Sequence, residues 1–378
     1  VLIGSFSDTE LHEVVNELYI DDMVDIMEEM PANVVKRILE NSDANTRQLI
    51  NEILKYPPDS AGSIMTTEFI TLHANMTIGE AIKRIREKGL DSETIETCYV
   101  TDSVRHLIGF VTIRTIILSD ENAKIEDVMN RNVISVSTTE DQEAVANLFA
   151  KYDLTVLPVV DNEKRIVGIV TVDDAIDVLQ KETTEDIEKM AAITPTDKPY
   201  LKKTTYEIWK SRIPWLLILM ISATFTGMII SHFEDALKAY VILTAYIPML
   251  MDTGGNSGSQ ASVTVIRSLS LHELSFSDIF RVIWKEFRVA LLCSVTLALV
   301  YFLKLIMFDG TGIYVALVIC ITLILTVFVA KLVGCILPMA AKKIGFDPAV
   351  MASPFITTIV DAISLLIYFN IAGIVLHI

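Results

Sequence analysis

The sequence predicts a multidomain membrane protein. It divides into an α-helical N-terminal domain (1–57), a tandem α/β pair (58–125 and 126–180), a connecting helix and linker (181–209), and an all-α polytopic domain with five transmembrane helices (210–378). Three observations predict this organisation: 52% of the 378 residues are hydrophobic, the charge is divided unevenly along the chain, and one sequence motif repeats 64 residues apart.

The charge separates a water-facing half from an apolar half. Residues 1–209 hold 20 Lys and Arg against 39 Asp and Glu, whereas residues 210–378 hold 11 against 9. Such an acidic chain lacks the basic footprint of a nucleic-acid binder and attracts cations instead. Its four cysteines show no CxxC spacing, which argues against a disulfide framework or a zinc site. The chain begins at Val1 without a signal peptide, and we expect part of the native N-terminus to be missing.

The N-terminal domain has the pattern of short packed helices. Apolar residues such as Met23 and Met27 recur at helical spacing, and breaks follow near Pro31. The domain is dense in acids, and Asp21 and Asp25 are four residues apart, so both lie on one helix face.

The α/β pair is an internal repeat. Ile64–Thr67 returns as Val128–Arg131, and Ile108–Thr112 returns as Val167–Thr171. Each unit has the pattern of strand, helix, strand, turn, strand and helix. This arrangement resembles a tandem CBS-domain pair, a regulatory module that often binds adenosyl nucleotides.

The CBS resemblance implies a nucleotide site that is only partly present. Its signature places an acid three residues after the Thr of the last strand, as in Thr171 and Asp174. The first repeat has Thr115 at that position, beside Arg114. A site made of Thr171, Asp174 and Arg114 therefore keeps one ribose-binding acid and lacks the other. ATP bound there would be a modulator.

Two features link the soluble and membrane halves. The segment after Gln180 is acidic and helical in pattern, and Pro195 and Pro199 end that pattern. Five apolar runs then follow and are assigned to five transmembrane helices; the first, with 19 uncharged residues, is long enough to cross a bilayer. They are 213–231, 239–251, 289–308, 310–337 and 354–374.

Basic residues near the ends of these runs predict the topology. They fall on one side of the membrane if the N-terminal half is cytoplasmic, and five spans then place the C-terminus outside. These residues are Lys210, Arg212, Arg267, Arg281, Lys285, Arg288, Lys342 and Lys343.

Asp361 is an acid deep in the last apolar run. Charged residues at such depth usually face a polar interior or an ion path. Ser353, Thr357 and Asp361 are spaced by four and draw one polar stripe. The alternative is a structural hydrogen bond to another helix. Asp347, just before Pro348, has the pattern of a helix N-cap followed by Pro at the first helical position.

The second apolar run ends in a glycine-rich segment, Asp252–Gln260. We expect irregular backbone there because of its glycines. Irregular backbone is tolerated near a membrane where it lines water or is buried in protein. Gly254, Gly255 and Asn256 would then leave carbonyl groups facing a cation or its water shell. The alternative is a plain helix end and loop.

Taken together, these segments resemble the MgtE family of magnesium channels over nearly the whole chain. The most specific stretches are Pro248–Ala261 and Asp347–Asp361, and Thr183–Ile187 resembles the start of the family's plug helix. The N-terminal domain is shorter than is usual in the family.

The resemblance implies a homodimer in the cell membrane, with a pore lined by the second and fifth transmembrane helices of both subunits. Two copies of Asp361 would form the ion site, assisted by Ser353 and Thr357. Gly254, Gly255 and Asn256 would lie at the cytoplasmic mouth. Mg²⁺ prefers oxygen ligands and sheds water reluctantly, so one or two carboxylates can hold it in hydrated form.

The resemblance also implies closure when cytosolic Mg²⁺ bridges acids of the soluble half, because clustered carboxylates repel when bare. The implied regulatory residues are Asp21, Asp25, Asp141, Glu143, Asp153, Asp174, Asp177, Glu182, Glu185, Asp186 and Asp347.

Three alternative functions make different demands on the sequence. A divalent cation transporter coupled to Na⁺ or H⁺ exchange fits a broken second helix and an intramembrane acid. A membrane metalloprotease would need HExxH, which fails at His12-Glu13 and His272-Glu273. A nucleotide sensor with a membrane anchor requires neither the glycine segment nor Asp361. The chain has no P-loop and no catalytic constellation, so we expect no enzyme.

Overall fold

The computed structural model describes residues 6–196, 198–351 and 353–377. They form two compact units, 1–182 and 183–378, which are described separately.

The first unit begins with four helices of ten residues each. They are α1 (Asp8–Glu17), α2 (Ile20–Glu29), α3 (Ala32–Asn41) and α4 (Ala44–Ile53). Ser7 and Asp43 accept backbone N–H bonds at the starts of α1 and α4, which satisfies donors that a helix end leaves free. One face of each helix enters a shared core that includes Leu11, Met23, Met27, Ile38 and Ile50. The predicted short packed helices are confirmed.

Two α/β repeats follow, each with a three-stranded sheet. The first strand of each sheet is parallel to the second, and the second is antiparallel to the third. Val100 pairs with Gly109 in the first sheet and Val159 with Gly168 in the second, and each pairing is followed by a register shift. The matching irregularities confirm the repeat seen in the sequence.

The first repeat contains β1 (Thr71–His73), α5 (Ile78–Lys88), β2 (Thr97–Thr101), β3 (Leu107–Thr112), α6 (Ile113–Leu118) and α7 (Ile125–Val128). The second contains β4 (Val136–Ser137), α8 (Gln142–Tyr152), β5 (Val156–Val160), β6 (Ile166–Thr171) and α9 (Val172–Met190). The acidic connecting helix of the sequence is therefore the continuation of α9.

The second unit is helical in its described part. It contains α10 (Thr205–His232), α11 (Glu234–Ala239), α12 (Ile247–Ser270), α13 (Ile279–Met307), α14 (Ile313–Lys343) and α15 (Ser353–Leu376). The central helix is α14, which packs against α12, α13 and α15. Its core includes Leu250, Leu323, Val327, Tyr368 and Phe369.

Within the described ranges, four helical segments are long and apolar enough to cross a membrane. They are 205–232, 276–307, 313–343 and 348–376. The remaining long helix, α12, has 24 residues and carries more polar side chains. At 1.5 Å per residue its length is roughly 36 Å, enough to cross the hydrocarbon core.

The predicted bounds and backbone of the second membrane helix are wrong. Residues 241–246 form a 3₁₀ helix, and α12 then continues without a break through Asp252–Gln260. The glycine-rich segment is helical because its glycines lie against neighbouring helices, where a small side chain permits close packing.

Candidate ion pathway and acidic clusters

Helices α12 and α15 pack against each other in opposite directions. A Cβ added at Gly255 would lie 2.7 Å from Thr357 Cγ2, one at Gly254 would lie 2.9 Å from Val360 Cγ1, and one at Gly258 would lie 2.8 Å from Ile356 Cγ2. A side chain at any of these three positions would therefore have to displace a residue of the facing helix. The glycines allow the two helices to pack closely, and α15 is antiparallel to α12.

Gly334 of α14 provides the same close approach from a third side. A Cβ there would overlap the carbonyl oxygen of Gly258 and lie 3.2 Å from the Ala261 Cβ. Ser262, fully buried on the next turn of α12, donates a hydrogen bond of 3.4 Å to the Met351 carbonyl. Small residues thus fix α12 between α14 and α15.

Asp361 lies half-buried on α15 beside this contact. Its Oδ1 atom is buried and receives no hydrogen bond from the described residues. Thr357, one turn earlier, is also half-buried, whereas the side chain of Ser353 lies outside the described part of the structure. Because a buried carboxylate oxygen without a donor is costly, it calls for a ligand, a water or a cation.

Asn256 lies on the opposite side of α12 from the glycines. Gly254 and Gly255 are buried, but Asn256 is exposed, as is Asp252 one turn before it. The residues predicted to form one irregular mouth are therefore divided between a buried packing face and an exposed polar face of the same helix.

Glu185, Asp186 and Asp347 come together in the second unit, with a lysine among them. The Lys189 ammonium donates to Asp347 Oδ2 at 2.6 Å and pairs with Glu185 on its own helix. Burial lowers the pKa of Lys189, but the hydrogen bonds to Asp347 and Glu185 raise the pKa by a larger amount. The net pKa of Lys189 is therefore above its usual value.

The other two contacts of this cluster involve backbone and hydroxyl groups. Ser270 donates to Asp186 at 3.1 Å, and burial raises the pKa of Asp186. Asp347 Oδ1 accepts from the Ala349 N–H at 2.8 Å, which caps the 3₁₀ turn Pro348–Met351. The predicted N-cap at Asp347, with Pro348 at the first helical position, is confirmed, but the helix that it caps is this short 3₁₀ turn before α15.

Asp21 and Asp174 face each other in the first unit, together with Glu93. Burial, with the charge of Asp174, raises the pKa of Asp21 to about 8. Burial and the charges of Asp173 and Asp174 raise the pKa of Glu93 to about 7. Burial raises the pKa of Asp174 to about 6, although a hydrogen bond from Thr171 opposes the rise. Asp25 acts on Asp174 electrostatically from the exposed face of α2.

The other predicted regulatory acids are dispersed. Asp141 caps the start of α8 and Asp153 ends it in a left-handed conformation with φ of 52°, about 18 Å away along the helix. Glu143 lies in the first turn of α8. Glu182 accepts a 2.7 Å hydrogen bond from the buried Gln142, and Asp177 is exposed. One chain alone does not bring Asp141 and Asp153 to one site.

The predicted nucleotide residues are only partly assembled. Thr171 Oγ1 donates to Asp174 Oδ2 at 2.6 Å. The Asp174 carboxylate is therefore hydrogen-bonded to the end of its own strand, and its charge also interacts with that of Asp21. Arg114 is exposed on α6.

Among the residues that the structure describes, no group of three His, Cys, Asp or Glu side chains is close enough to hold a metal ion. Three residues that the sequence reasoning missed belong to these clusters. Glu93 and Lys189 are brought in by tertiary packing, which no local pattern reveals. Asp252 could have been predicted from the sequence, because an unbroken helix places residues four apart, here Asp252 and Asn256, on the same face.

The second unit also contains an ion pair between two of its long helices. Lys331 of α14 is only 5% exposed, and its Nζ is 3.7 Å from Glu286 Oε2 of α13. The lysine is therefore paired inside the protein, which relieves the cost of placing it in an apolar helix.

Comparison with known families agrees with this arrangement. A family model described as a divalent cation transporter matches residues 247–371, the MgtE intracellular N domain matches 1–59, and the CBS domain matches 61–121 and 125–181. The class of the chain is thus that of polytopic divalent cation transporters with CBS domains, and the predicted fold class is confirmed.

The relatives are more specific. The magnesium transporter MgtE of Thermus thermophilus is 39% identical over 95% of this chain and 80% of its own length. That of Bacillus subtilis is 35% identical over 100% of this chain and 83% of its own length. The chain belongs to the MgtE family, which confirms the resemblance. MgtE proteins are transporters and not enzymes, as the sequence predicted.

Two solved structures are similar to part of the chain. The soluble part of a magnesium transporter is 34% identical, covering 48% of this chain and 70% of its own chain with a TM-score of 0.46. The cytosolic domain of the Mg²⁺ channel MgtE in complex with ATP is 38% identical, covering 47% and 77% with a TM-score of 0.43.

Proposed function

We propose that this chain forms a passive Mg²⁺ channel whose ion site is built around Asp361. The observation that carries the proposal is the half-buried Asp361 carboxylate, whose buried oxygen lacks a donor among the described residues, beside the polar face of α12. Hydrated Mg²⁺ is usually held by one or two carboxylates and its own waters. The names of the two bacterial relatives support Mg²⁺ as the transported ion.

The polar face of α12 supports a homodimer. Asp252, Asn256, Gln260, Thr264 and Arg267 are all exposed and follow one side of the helix. Such side chains inside a bilayer face water or other protein rather than lipid. A second copy of the chain would cover this face, enclose a water-filled path and bring two copies of Asp361 together.

The proposed membrane is the cell membrane. The N-terminal half would be cytoplasmic and the C-terminus outside, because the basic residues flanking the helices then share the cytoplasmic side.

We further propose that cytosolic Mg²⁺ closes the channel by bridging acids. Asp21 with Asp174 forms one such group, and Glu185 with Asp347 forms another. A ligand shifts a conformational equilibrium only by binding one state better, and bridged carboxylates favour the compact state. ATP at the CBS pair would modulate this response.

The mode of transport is tested by Mg²⁺ flux into proteoliposomes that contain the full chain. With Na⁺ and H⁺ gradients held at zero, we expect flux to follow the Mg²⁺ gradient alone. Flux that requires a Na⁺ or H⁺ gradient would contradict the channel and establish the coupled transporter. Liposomes with the heat-inactivated protein measure the leak.

The regulatory proposal predicts that Mg²⁺ stabilises α2 more at high pH. Asp21 has a folded pKa of about 8, above its ordinary value of 3.8, so its ionisation destabilises the fold progressively between these two values. Bound Mg²⁺ would offset that repulsion. Hydrogen exchange of α2 amides should slow by about tenfold with millimolar Mg²⁺ near pH 9, and by about twofold near pH 6.

Asp21→Asn should reduce this difference between the two pH values, with Glu93 and Asp174 accounting for the remainder, whereas Glu52→Gln, an exposed change on α4, should keep it in full. Equal protection by Mg²⁺ at both pH values in the unaltered chain would contradict the role of Asp21.

A further inference from the structure

The contacts between α12 and α15 fix which residues lie at the same height. Gly255 meets Thr357, and Ser262 bonds to the carbonyl of Met351 at the other end of the contact. Because the helices run in opposite directions, each turn forward on α12 corresponds to one turn back on α15. Asp252 therefore lies level with Asp361, and Asn256 lies level with Thr357.

The two carboxylates at this level have different surroundings. Asp361 is half-buried between the helices, whereas Asp252 is exposed on the polar face of α12. Within the described ranges Asp252 has no ion pair, and it lies close enough to Asp361 for the two charges to interact. An acid on a membrane helix without a cationic partner needs water or an ion beside it.

We propose that Asp252 is a second acid of the ion path, which attracts a hydrated divalent cation to the level of Asp361 and sets the apparent affinity of transport. The proposal rests on the proposed channel function. The exposed carboxylate adds negative charge where the cation is held, while Asn256, one turn away, offers an amide to the water shell. Field focusing in a low-dielectric path raises the local cation concentration.

Flux into proteoliposomes as a function of Mg²⁺ concentration tests this role. Asp252→Asn keeps the side-chain size and removes the charge. We expect the half-saturating Mg²⁺ concentration to rise about tenfold, within the range over which focused fields change local ion concentration, with the maximal rate changed less than about twofold. Asp235→Asn removes an exposed carboxylate of α11 in the same unit and should change neither value.

An unchanged half-saturating concentration in Asp252→Asn, alongside an inactive Asp361→Asn, would overturn the role of Asp252 and leave the channel proposal intact. An active Asp361→Asn would instead overturn the channel proposal. If Asp252→Asn loses all flux, Asp252→Glu decides: restored flux supports a carboxylate role, and absent flux assigns Asp252 to structure.

Discussion

Asp361→Asn is expected to lower Mg²⁺ flux by at least about a hundredfold, equivalent to roughly 2.7 kcal/mol. Asparagine keeps the shape of the side chain, so the packing of α15 against α12 should persist. It removes the negative charge that a dication needs as a ligand. The measurement is Mg²⁺ uptake into proteoliposomes at matched protein insertion.

Ser364→Ala is the matched control on the same helix. Ser364 donates to the Val360 carbonyl of its own helix, so its loss should leave flux unchanged. If Asp361→Asn transports as well as the unaltered chain, Asp361 has a structural role and the proposed ion site is wrong.

Gly334→Ala is expected to destabilise the membrane unit by roughly 3 kcal/mol, the upper end of typical overpacking costs. The new methyl group would overlap the Gly258 carbonyl, and backbone cannot swing aside as a long side chain can. Helix α12 would have to move away from α14. Thermal unfolding of the detergent-solubilised protein, followed by the monodisperse fraction after heating, measures the loss.

Gly227→Ala provides the control for this change. Gly227 lies on the exposed face of α10, and a Cβ there would meet no atom within 4 Å. Alanine also favours helix over glycine by about 1 kcal/mol in water, so this variant should be at least as stable as the unaltered chain. Equal stability of the two variants would contradict close packing at Gly334.

The sequence was sufficient for the broad architecture. The apolar runs located the membrane half, and the repeat gave the two α/β sheets down to their matching irregularities. The stripe of Thr357 and Asp361 was also predictable, because helical spacing places residues four apart on one face.

The helical conformation of Asp252–Gln260 was not predicted, and the reason is physical. Glycine disfavours helices in water, where its backbone freedom is lost. In a packed membrane bundle, Gly254, Gly255 and Gly258 gain close contacts that a larger residue would prevent. The wrong prediction of irregular backbone also meant that Asp252 was not predicted to lie on the polar face of α12, because that position requires an unbroken helix.

The acid clusters were predictable only in part. Asp21 and Asp174 were both predicted, but Glu93 lies in the loop between α5 and β2 and joins them only through the fold. The sequence spacing also suggested nothing about Lys189 near Asp347, since these residues are far apart along the chain.

Lys189 gives the acids around Asp347 a tethered counter-ion. A dication that bridges Glu185 and Asp347 must first displace this ammonium, so binding there is an exchange of one cation for another. Exchange against a partner fixed to the chain lowers the apparent affinity by the energy of the pair that is broken. Trace metal would leave the pair in place, and only an abundant divalent ion would replace it. In the proposed closure, the lysine would therefore set the divalent-cation concentration at which these acids are bridged.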